Sequence, residues 1–378
     1  MKTKSLVCGS WHESEMSGAK VRNALTGELV SEVSSEGIDF KEVVQFAKTH
    51  GCKNLSVLTV HERAQKLKEL GLHLLSKKSD FYDISAKTGA TKADGWVDIE
   101  GGIGTMLSYS SIARRELPDE TFIVEGNQEA LSANGTFIAR HILTPKQGVS
   151  LHINAFNFPC WGMLEKIAPS LIAGVPVIVK PATVTSYLTE AMVKEIIKAD
   201  ILPEGALQLI SGSTGDILEH LDEQDTVTFT GSASTGQMLK THPNIIKNSI
   251  PFNLEADSLN CSILGETVTA DCPEFKLFIK EVAREMTGKA GQKCTAIRRT
   301  IVPAKMLDTV SEALKEALAK VTIGDPSQEG VRMGALAGLS QREDVREKVS
   351  LLAKDCEVLT GGNDAVFDVV GANVEFGA

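Results

Sequence analysis

One cysteine lies in a turn of small residues where its thiol could act as a nucleophile. The turn, at 291–296, follows a stretch of helical periodicity at 276–287 and presents Cys294. A thiol attacks a carbonyl carbon only as the thiolate, which a helix end, nearby backbone N–H groups and a general base can stabilise near neutral pH. We therefore interpret Cys294 as a nucleophile toward a carbonyl compound. The cysteine by itself leaves a half-buried structural thiol as an alternative.

Two further polar residues could assist such a nucleophile. The segment 154–159 follows a short apolar strand pattern, and the amide of Asn157 within it could donate a hydrogen bond to a developing oxyanion. Glu255 could remove a proton from the thiol or from a hydrolytic water. Each residue alone has an ordinary alternative, because asparagines commonly form Asx-turns and glutamates lie mostly on the surface.

Two other segments have the composition of a nucleotide site. Lys180 ends an apolar run at 175–180, where its ammonium could bind a ribose hydroxyl or a phosphate, although such lysines are often only solvated. The segment 230–236 combines glycines with hydroxyls ahead of a predicted helix, whose N-terminus would suit a pyrophosphate. It lacks the G-x-G-x-x-G spacing, so the glycines alone do not establish a dinucleotide fold.

The elements that must position these residues alternate between strand and helix. This alternation predicts an α/β fold with a doubly wound parallel sheet, in which ligands bind at the carboxyl ends of the strands. A further alternation begins at Cys261, with strand patterns at 299–302 and 358–359, and places a domain boundary near Asp257. The strand patterns of the first part lie at 149–153, 175–180, 207–210 and 226–230, and the helical patterns between them lie at 161–173, 189–199 and 215–221.

Residues 121–145 interrupt this order with two strand patterns around a loop. Such a hairpin commonly projects from its domain and offers an edge for pairing with another subunit. An antiparallel edge of the main sheet is the alternative. Upstream, helical patterns begin after Asp39 and after Thr59 and predict a helical layer over the sheet, while residues 1–35 have the pattern of an edge hairpin.

Composition argues against several classes of function. The chain of 378 residues has a formal net charge of −10, which disfavours nucleic acid or an anionic membrane as a general partner. Its seven cysteines include no C-x-x-C pair and its eight histidines have no paired ligand spacing, so the sequence predicts neither disulfides nor a metal site. We find no signal peptide pattern and no run of eighteen apolar residues, and we expect a cytoplasmic protein in a reducing compartment.

Taken in order, these segments resemble the aldehyde dehydrogenase superfamily over nearly the whole chain. The resemblance implies that Cys294 attacks an aldehyde to give a thiohemiacetal, whose oxyanion is held by the Asn157 side chain and the Cys294 N–H. It implies that hydride then passes to a nicotinamide and that Glu255 activates the water that hydrolyses the thioester. The motifs are N-F-P at 157–159, V-K-P-A at 179–182, F-T-G-S at 229–232 with Gly236, Glu255, and G-Q-K-C at 291–294.

The resemblance also implies a cofactor site and a domain layout. Lys180 would bind the adenosine ribose and Ser232 the pyrophosphate, in an aldehyde dehydrogenase-like fold with a parallel sheet in each of two domains. The cofactor domain is expected at 1–120 and 146–257, an oligomerisation hairpin at 121–145, and a catalytic domain at 258–378. The other expected cofactor residues are Phe156, Thr183, Gly231 and Gly236.

Two departures from the commoner family patterns refine this expectation. Many NAD-dependent members have a glutamate three residues after the lysine, where this chain has Thr183. A hydroxyl can donate to a 2′-phosphate that a carboxylate would repel, so we expect NADP in preference to NAD. The motif E-A-D-S at 255–258 replaces E-L-G-G and resembles the subgroup that oxidises ring-opened, CoA-linked semialdehydes in bacterial aromatic catabolism, as in phenylacetate degradation. We therefore expect a small aldehyde, carried as a CoA thioester, as the substrate.

The end of the chain departs from the family. Members continue through a Glu-x-Phe-Gly-Pro segment, whose glutamate holds the nicotinamide ribose, to a strand that pairs across the subunit interface. This chain stops at 375–378. We expect a C-terminally truncated catalytic domain that lacks full activity, and a homo-oligomer when full length.

Two alternative functions stay open. An acylating dehydrogenase would resolve the thioester with CoA, and Glu255 as a water-activating base argues against it. A catalytically idle, dehydrogenase-like binding or assembly subunit agrees with the missing C-terminal segment, but it does not explain the retained Cys294, Asn157 and Glu255.

Overall fold

The chain divides into two units, which are described separately. The computed structural model describes residues 1–371, 374, 376 and 377, so the chain end discussed above lies partly outside the described residues. The second unit includes two segments that the sequence assigned to the cofactor domain, and the functions expected of the domains stay predictions. The first unit is Met1–Ala19, Glu32–Phe81 and Asp98–Ala256, and the second is Lys20–Ser31, Tyr82–Val97 and Asp257–Ala378.

Capped helices follow short strands at the start of the chain. Asp39 accepts the backbone N–H of Glu42 (3.0 Å), and Thr59 and Glu62 form a reciprocal capping box, so both predicted helix starts are confirmed. Each such cap typically contributes about 1 kcal/mol. The strands are β1 (Lys2–Thr3), β2 (Ser5–Val7), β3 (Ser10–His12), β4 (Ala19–Arg22) and β5 (Leu29–Val33), and the helices are α1 (Phe40–Phe46), α2 (Cys52–Ser56), α3 (Val60–Ser76), α4 (Lys78–Ser85), α5 (Lys92–Gly95) and α6 (Gly102–Glu116).

The interrupting segment is a hairpin of β6 (Ile123–Ala130) and β7 (Ile138–Leu143). The two strands are antiparallel and form a two-stranded sheet of their own, so they are not an edge of the main sheet. Phe137 and Ile142 are among several large apolar side chains of the hairpin that are exposed. Its role in oligomerisation stays a prediction.

The main sheet of the first unit confirms the predicted alternation. Its strand order is β12-β11-β8-β9-β10-β2-β3; the first five strands are parallel, and β2 and β3 form an antiparallel edge hairpin. The helical pattern at 215–221 is a short 3-10 turn, Ile217–His220. The new elements are β8 (Ser150–Ile153), α7 (Trp161–Ile172), β9 (Val177–Lys180), α8 (Ser186–Lys198), β10 (Leu207–Leu209), β11 (Thr226–Gly231), α9 (Ala233–Lys240), α10 (Pro243–Lys247) and β12 (Phe252–Ala256).

Side-chain alternation along β8 explains why helices cover both faces of this sheet. Leu151 and Ile153 belong to a buried apolar cluster with residues of α1, α9 and α10. Ser150 and His152 point to the opposite face, where His152 meets Ser170 of α7. Full burial of an aliphatic side chain such as Leu151 contributes about 1.5–3 kcal/mol. The strand order reverses beside β8, and in such sheets the ligand crevice lies at the carboxyl ends of the strands at that point.

The second unit has smaller sheets around its own core. Strand β13 pairs in parallel with β14, and β15 pairs in parallel with β16. The predicted strand at 358–359 is wrong, because these two residues are exposed and unpaired loop residues and the next strand is β16. Phe275, Phe278 and Val282 are in its core. The elements are β13 (Cys261–Ile263), α11 (Pro273–Thr287), β14 (Arg299–Ile301), α12 (Leu307–Leu318), β15 (Ile323–Gly324), α13 (Leu339–Leu352) and β16 (Val369–Val370).

None of the helices in the described ranges combines the length and the apolar character needed to cross a membrane.

Candidate active site

Hydrogen bonds join the loops after β8 and β9 at the carboxyl edge of the main sheet. The Asn154 N–H donates to the Lys180 carbonyl (2.9 Å), and the Thr185 hydroxyl donates to the Phe156 carbonyl (3.1 Å). These bonds bring the segments that contain Phe156, Lys180 and Thr183 to one place in the fold. Sequence reasoning placed each residue at a strand end, and the parallel pairing of β8 with β9 explains why they meet.

The Lys180 ammonium could bind an anion at this edge. Its ammonium makes no ion pair and no hydrogen bond within the described residues, and its side chain is partly buried. Burial lowers the pKa of Lys180, because removing water disfavours the charged form. Thr183 is also half-buried and begins the short turn that leads into α8. A phosphate at this edge would receive a positive charge and a hydroxyl together.

Helix α9 begins at the carboxyl end of β11, next to β8. Ser232 is its N-cap and accepts the Thr235 N–H (3.4 Å). A Cβ on Gly231 would lie 2.5 Å from the Phe229 ring, and one on Gly236 would lie 2.3 Å from the Leu254 side chain. Gly236 therefore allows α9 to pack closely on β11 and β12, whereas Gly231 makes room for the Phe229 ring of its own strand. The N-terminus of α9 lies at the carboxyl end of β11, where backbone N–H groups can bind an anion. Direct contact of either glycine with a cofactor stays a prediction.

The remaining predicted residues of the first unit follow the same edge. Glu255 on β12 is exposed and opposite Thr230 of β11, whose hydroxyl donates to the Glu255 carboxylate (3.4 Å). The side-chain oxygen of Asn157 accepts the Phe158 N–H (3.1 Å). This bond involves the side-chain oxygen of Asn157, whereas its predicted role as an oxyanion donor depends on the side-chain nitrogen. Both residues keep their predicted roles as predictions.

Cys294 lies in the second unit, on the segment 289–296, which we call the nucleophile loop. The loop begins with three successive left-handed residues, Lys289 (φ 53°), Ala290 (φ 51°) and Gly291 (φ 73°). For the two residues with side chains this conformation costs about 1–2 kcal/mol each. The Lys289 N–H donates to the buried carboxylate of Asp94 (2.8 Å), which helps to hold this turn.

Side chains from outside the loop bind its carbonyl groups. Arg298 donates to the carbonyls of Gly291 (2.7 Å) and Lys293 (3.0 Å). Asn260 donates to the carbonyls of Cys294 (2.6 Å) and Ala296 (3.2 Å). The Ser258 hydroxyl also donates to the Cys294 carbonyl. The loop therefore presents an exposed thiol on a backbone whose hydrogen bonds are fixed in advance.

A side chain of the loop itself also stabilises the start of the loop. The Gln292 amide donates to the Lys289 carbonyl (2.9 Å) and accepts the Ala337 N–H (3.0 Å). Sequence reasoning proposed Cys294 as the nucleophile but missed the contacts that Asp94, Arg298, Ser258 and Asn260 make with its loop. The available signal was the unusual E-A-D-S motif, which begins with the predicted base Glu255 and ends with Ser258.

Within the residues that the structure describes, no group of three or more His, Cys, Asp or Glu side chains could hold a metal ion.

Comparisons with known proteins identify the family and the fold. Residues 11–373 match the aldehyde dehydrogenase family. The chain is 43% identical over its whole length to 73% of the 3,4-dehydroadipyl-CoA semialdehyde dehydrogenase of Aromatoleum evansii. It is 28% identical, over 95% of its length, to 70% of the D-glyceraldehyde dehydrogenase (NADP(+)) of Picrophilus torridus. A solved 3,6-anhydro-L-galactose dehydrogenase in complex with NAP has the same fold, with a TM-score of 0.83 at 20% identity over all of this chain and 76% of that one.

Proposed function

The chain belongs to the aldehyde dehydrogenase family, and on that premise we propose that it oxidises a CoA-linked semialdehyde to the carboxylic acid with NADP. The observation that carries the proposal is the exposed Cys294 thiol on the nucleophile loop, whose carbonyl groups are held by side chains from outside it. A nucleophile on a backbone fixed before the substrate arrives needs little reorganisation during the reaction. An idle binding subunit would not require an exposed thiol on such a loop.

The proposed roles of the residues follow from their chemistry. The Cys294 thiolate attacks the aldehyde carbon, and the Asn157 amide and the Cys294 N–H donate to the resulting oxyanion. A cofactor held by Lys180, Thr183 and Ser232 would supply the hydride acceptor, and loss of hydride from the alkoxide leaves an acyl thioester on Cys294. Glu255 then takes a proton from a water molecule, whose oxygen attacks the thioester carbon. The carbon–sulfur bond breaks, and the carboxylic acid and the Cys294 thiolate are released.

Lys180 and Thr183 support NADP over NAD as the proposed cofactor. Lys180 has no protein anion beside it in the described part of the chain, and Thr183 contributes a neutral hydroxyl where a carboxylate would repel a 2′-phosphate. The N-terminus of α9, capped by Ser232, is the proposed pyrophosphate seat.

The proposed substrate rests on the E-A-D-S motif and on the 43% identical relative, whose name specifies a CoA-linked semialdehyde. We also propose that the β6–β7 hairpin joins copies of the chain, because Phe137, Ile138 and Ile142 are 51–63% exposed on it. Apolar side chains clustered on an unpaired two-stranded sheet are typical of a subunit contact.

The test is a single-turnover burst of NADPH fluorescence with a CoA thioester that carries a terminal aldehyde. We expect one NADPH per active chain, no burst from Cys294→Ser, and a normal burst from Cys261→Ser, which replaces another exposed cysteine of the same unit. In Glu255→Gln the burst should persist while the acyl-enzyme accumulates in mass spectra. No burst from the unaltered chain would support an idle subunit, and an acyl-CoA product formed only with added free CoA would support the acylating reaction.

The same experiment tests the cofactor when it is run with NADP and with NAD. We expect NADP to bind more tightly, and Thr183→Glu to weaken NADP binding by about tenfold or more, which corresponds to about 1.4 kcal/mol. The conservative Thr183→Ser should keep the preference. Tighter binding of NAD by the unaltered chain would contradict the NADP assignment and leave the aldehyde chemistry in place.

A further inference from the structure

Three side chains bind the peptide groups on both sides of Cys294, and we call Arg298, Ser258 and Asn260 the carbonyl clamp. We propose that the clamp positions the Cys294 N–H as an oxyanion donor, with Arg298 as the decisive residue. This inference rests on the proposed aldehyde oxidation. It adds three positioning residues, none of which touches the reacting atoms.

Arg298 controls the direction of the Cys294 N–H through one rigid peptide group. The Lys293 carbonyl and the Cys294 N–H belong to the same planar trans peptide, so they point in opposite directions. Arg298 holds that carbonyl at 3.0 Å with one nitrogen of its guanidinium and the Gly291 carbonyl at 2.7 Å with another. The Cys294 N–H therefore points away from Arg298. It donates to no residue in the described part of the chain, and so it is available to an oxyanion.

Ser258 and Asn260 fix the next peptide group. Both donate to the Cys294 carbonyl, and Asn260 also binds the Ala296 carbonyl. The Asn260 carbonyl in turn accepts the backbone N–H of Arg298 (2.9 Å), so the members of the clamp hold one another. With both flanking peptide groups fixed, rotation about the Cα–Cβ bond is the main freedom left between the Cys294 thiol and its own N–H.

The residue types suit this task. A planar guanidinium presents a fork of donors that spans two carbonyls, whereas a lysine ammonium is a single point. Ser258 stands where the commoner E-L-G-G motif has a glycine without a hydroxyl. The left-handed turn at 289–291 is costly, and the clamp keeps the loop beyond it in one arrangement.

The test compares the NADPH burst with the alkylation of Cys294 by iodoacetamide in Arg298→Met. Alkylation needs the thiolate but develops no oxyanion, so the two rates separate thiol reactivity from oxyanion stabilisation. We expect the burst to slow by about 10–100-fold, less than or comparable to the loss of a direct oxyanion donor, with KM little changed and alkylation within about twofold. The burst rate of Arg298→Lys should lie between that of the unaltered chain and that of Arg298→Met. Arg284→Met, which removes an exposed arginine of α11, is the matched control and should leave both rates unchanged.

The outcomes distinguish the clamp from the proposed function. A burst in the unaltered chain and an equal burst in Arg298→Met would overturn the clamp and keep the aldehyde oxidation. An equal fall of burst and alkylation would also overturn it, because the arginine would then only maintain the loop. No burst in the unaltered chain would reject the proposed function and, with it, the catalytic purpose of the clamp. Ser258→Gly should slow the burst less than Arg298→Met, because Asn260 still holds the same carbonyl.

Discussion

Polar groups are paired differently at the two ends of the parallel strands of the main sheet, which we call the amino edge and the carboxyl edge. At the amino edge, buried Asp225 accepts the Val149 N–H (2.7 Å) with one oxygen, and the Lys48 ammonium (2.7 Å) and the Asp222 N–H (2.7 Å) with the other. At the carboxyl edge, the Lys180 ammonium has no partner within the described residues. One edge is internally satisfied, and the other has binding capacity left for a ligand.

The same contrast runs along one face of β8. Near the amino end, Ser150 bonds to both His152 (2.8 Å) and Thr226 (2.9 Å). His152 is satisfied at Nε2, while its buried Nδ1 has no partner in the described part of the chain. At the carboxyl end, neither polar atom of the buried Asn154 side chain has a partner there. Along this face the paired polar groups lie toward the amino end and the unpaired amide lies at the carboxyl end, the proposed ligand side, where unsatisfied groups cost stability but can bind.

Breaking the amino edge should have the largest effect. Asp225→Ala leaves two backbone N–H groups without their acceptor and removes one of the two carboxylates that bind the half-buried Lys48, so we expect the free energy of unfolding in urea to fall by about 3–5 kcal/mol. The matched variant at the opposite edge, Lys180→Met, should cause no loss of stability, and it should weaken NADP binding. Equal losses of stability in Asp225→Ala and Lys180→Met would show that polar groups contribute equally to stability at the two edges.

His152 should make the middle of the strand sensitive to acid. Burial, with a smaller effect of the Lys166 charge, lowers the pKa of His152 from 6.5 to about 3. Below its ordinary pKa the unfolded chain binds a proton that the folded chain does not. The stability present above about pH 6.5 should therefore fall by up to about 1.4 kcal/mol per pH unit toward pH 3. Urea unfolding across this range should show a weaker pH dependence in His152→Gln than in the exposed control His141→Gln. Identical slopes would show that His152 does not contribute.

Asn154 should give the smallest effect and the opposite sign. An amide that is buried without a partner costs about 1–3 kcal/mol, and Asn154→Leu keeps a similar size without polar atoms. Because the new side chain must also be packed, we expect a net gain of about 1 kcal/mol in the free energy of unfolding. A loss of stability would show that the amide has a hydrogen-bond partner, for example a buried water molecule. It would then contradict the difference in polar pairing between the two ends of β8.

Much of the first unit could be predicted from the sequence because the signals are local. The strand patterns that end at Lys180 and Thr230, the helix caps at Asp39 and Thr59, and the alternation of strands and helices depend on residues close together in the chain. Hydrophobic periodicity and capping chemistry operate over these short distances. Lys180 and Glu255 were proposed because a motif coincides with a predicted strand end, and Cys294 because its motif follows a predicted helix; their roles stay predictions.

Contacts between distant residues could not be predicted in this way. Lys289 and Asp94 are 195 positions apart, and Asn260 and Cys294 are 34 apart, so no local pattern links them. The strand expected at 358–359 failed for the same reason, since a strand needs a partner that its own residues do not specify. The sequence by itself determined most elements of the first unit, their order and the reactive residue types. The tertiary structure alone decided which carbonyl, ammonium and amide groups find partners, because a hydrogen bond depends on where two groups meet in space.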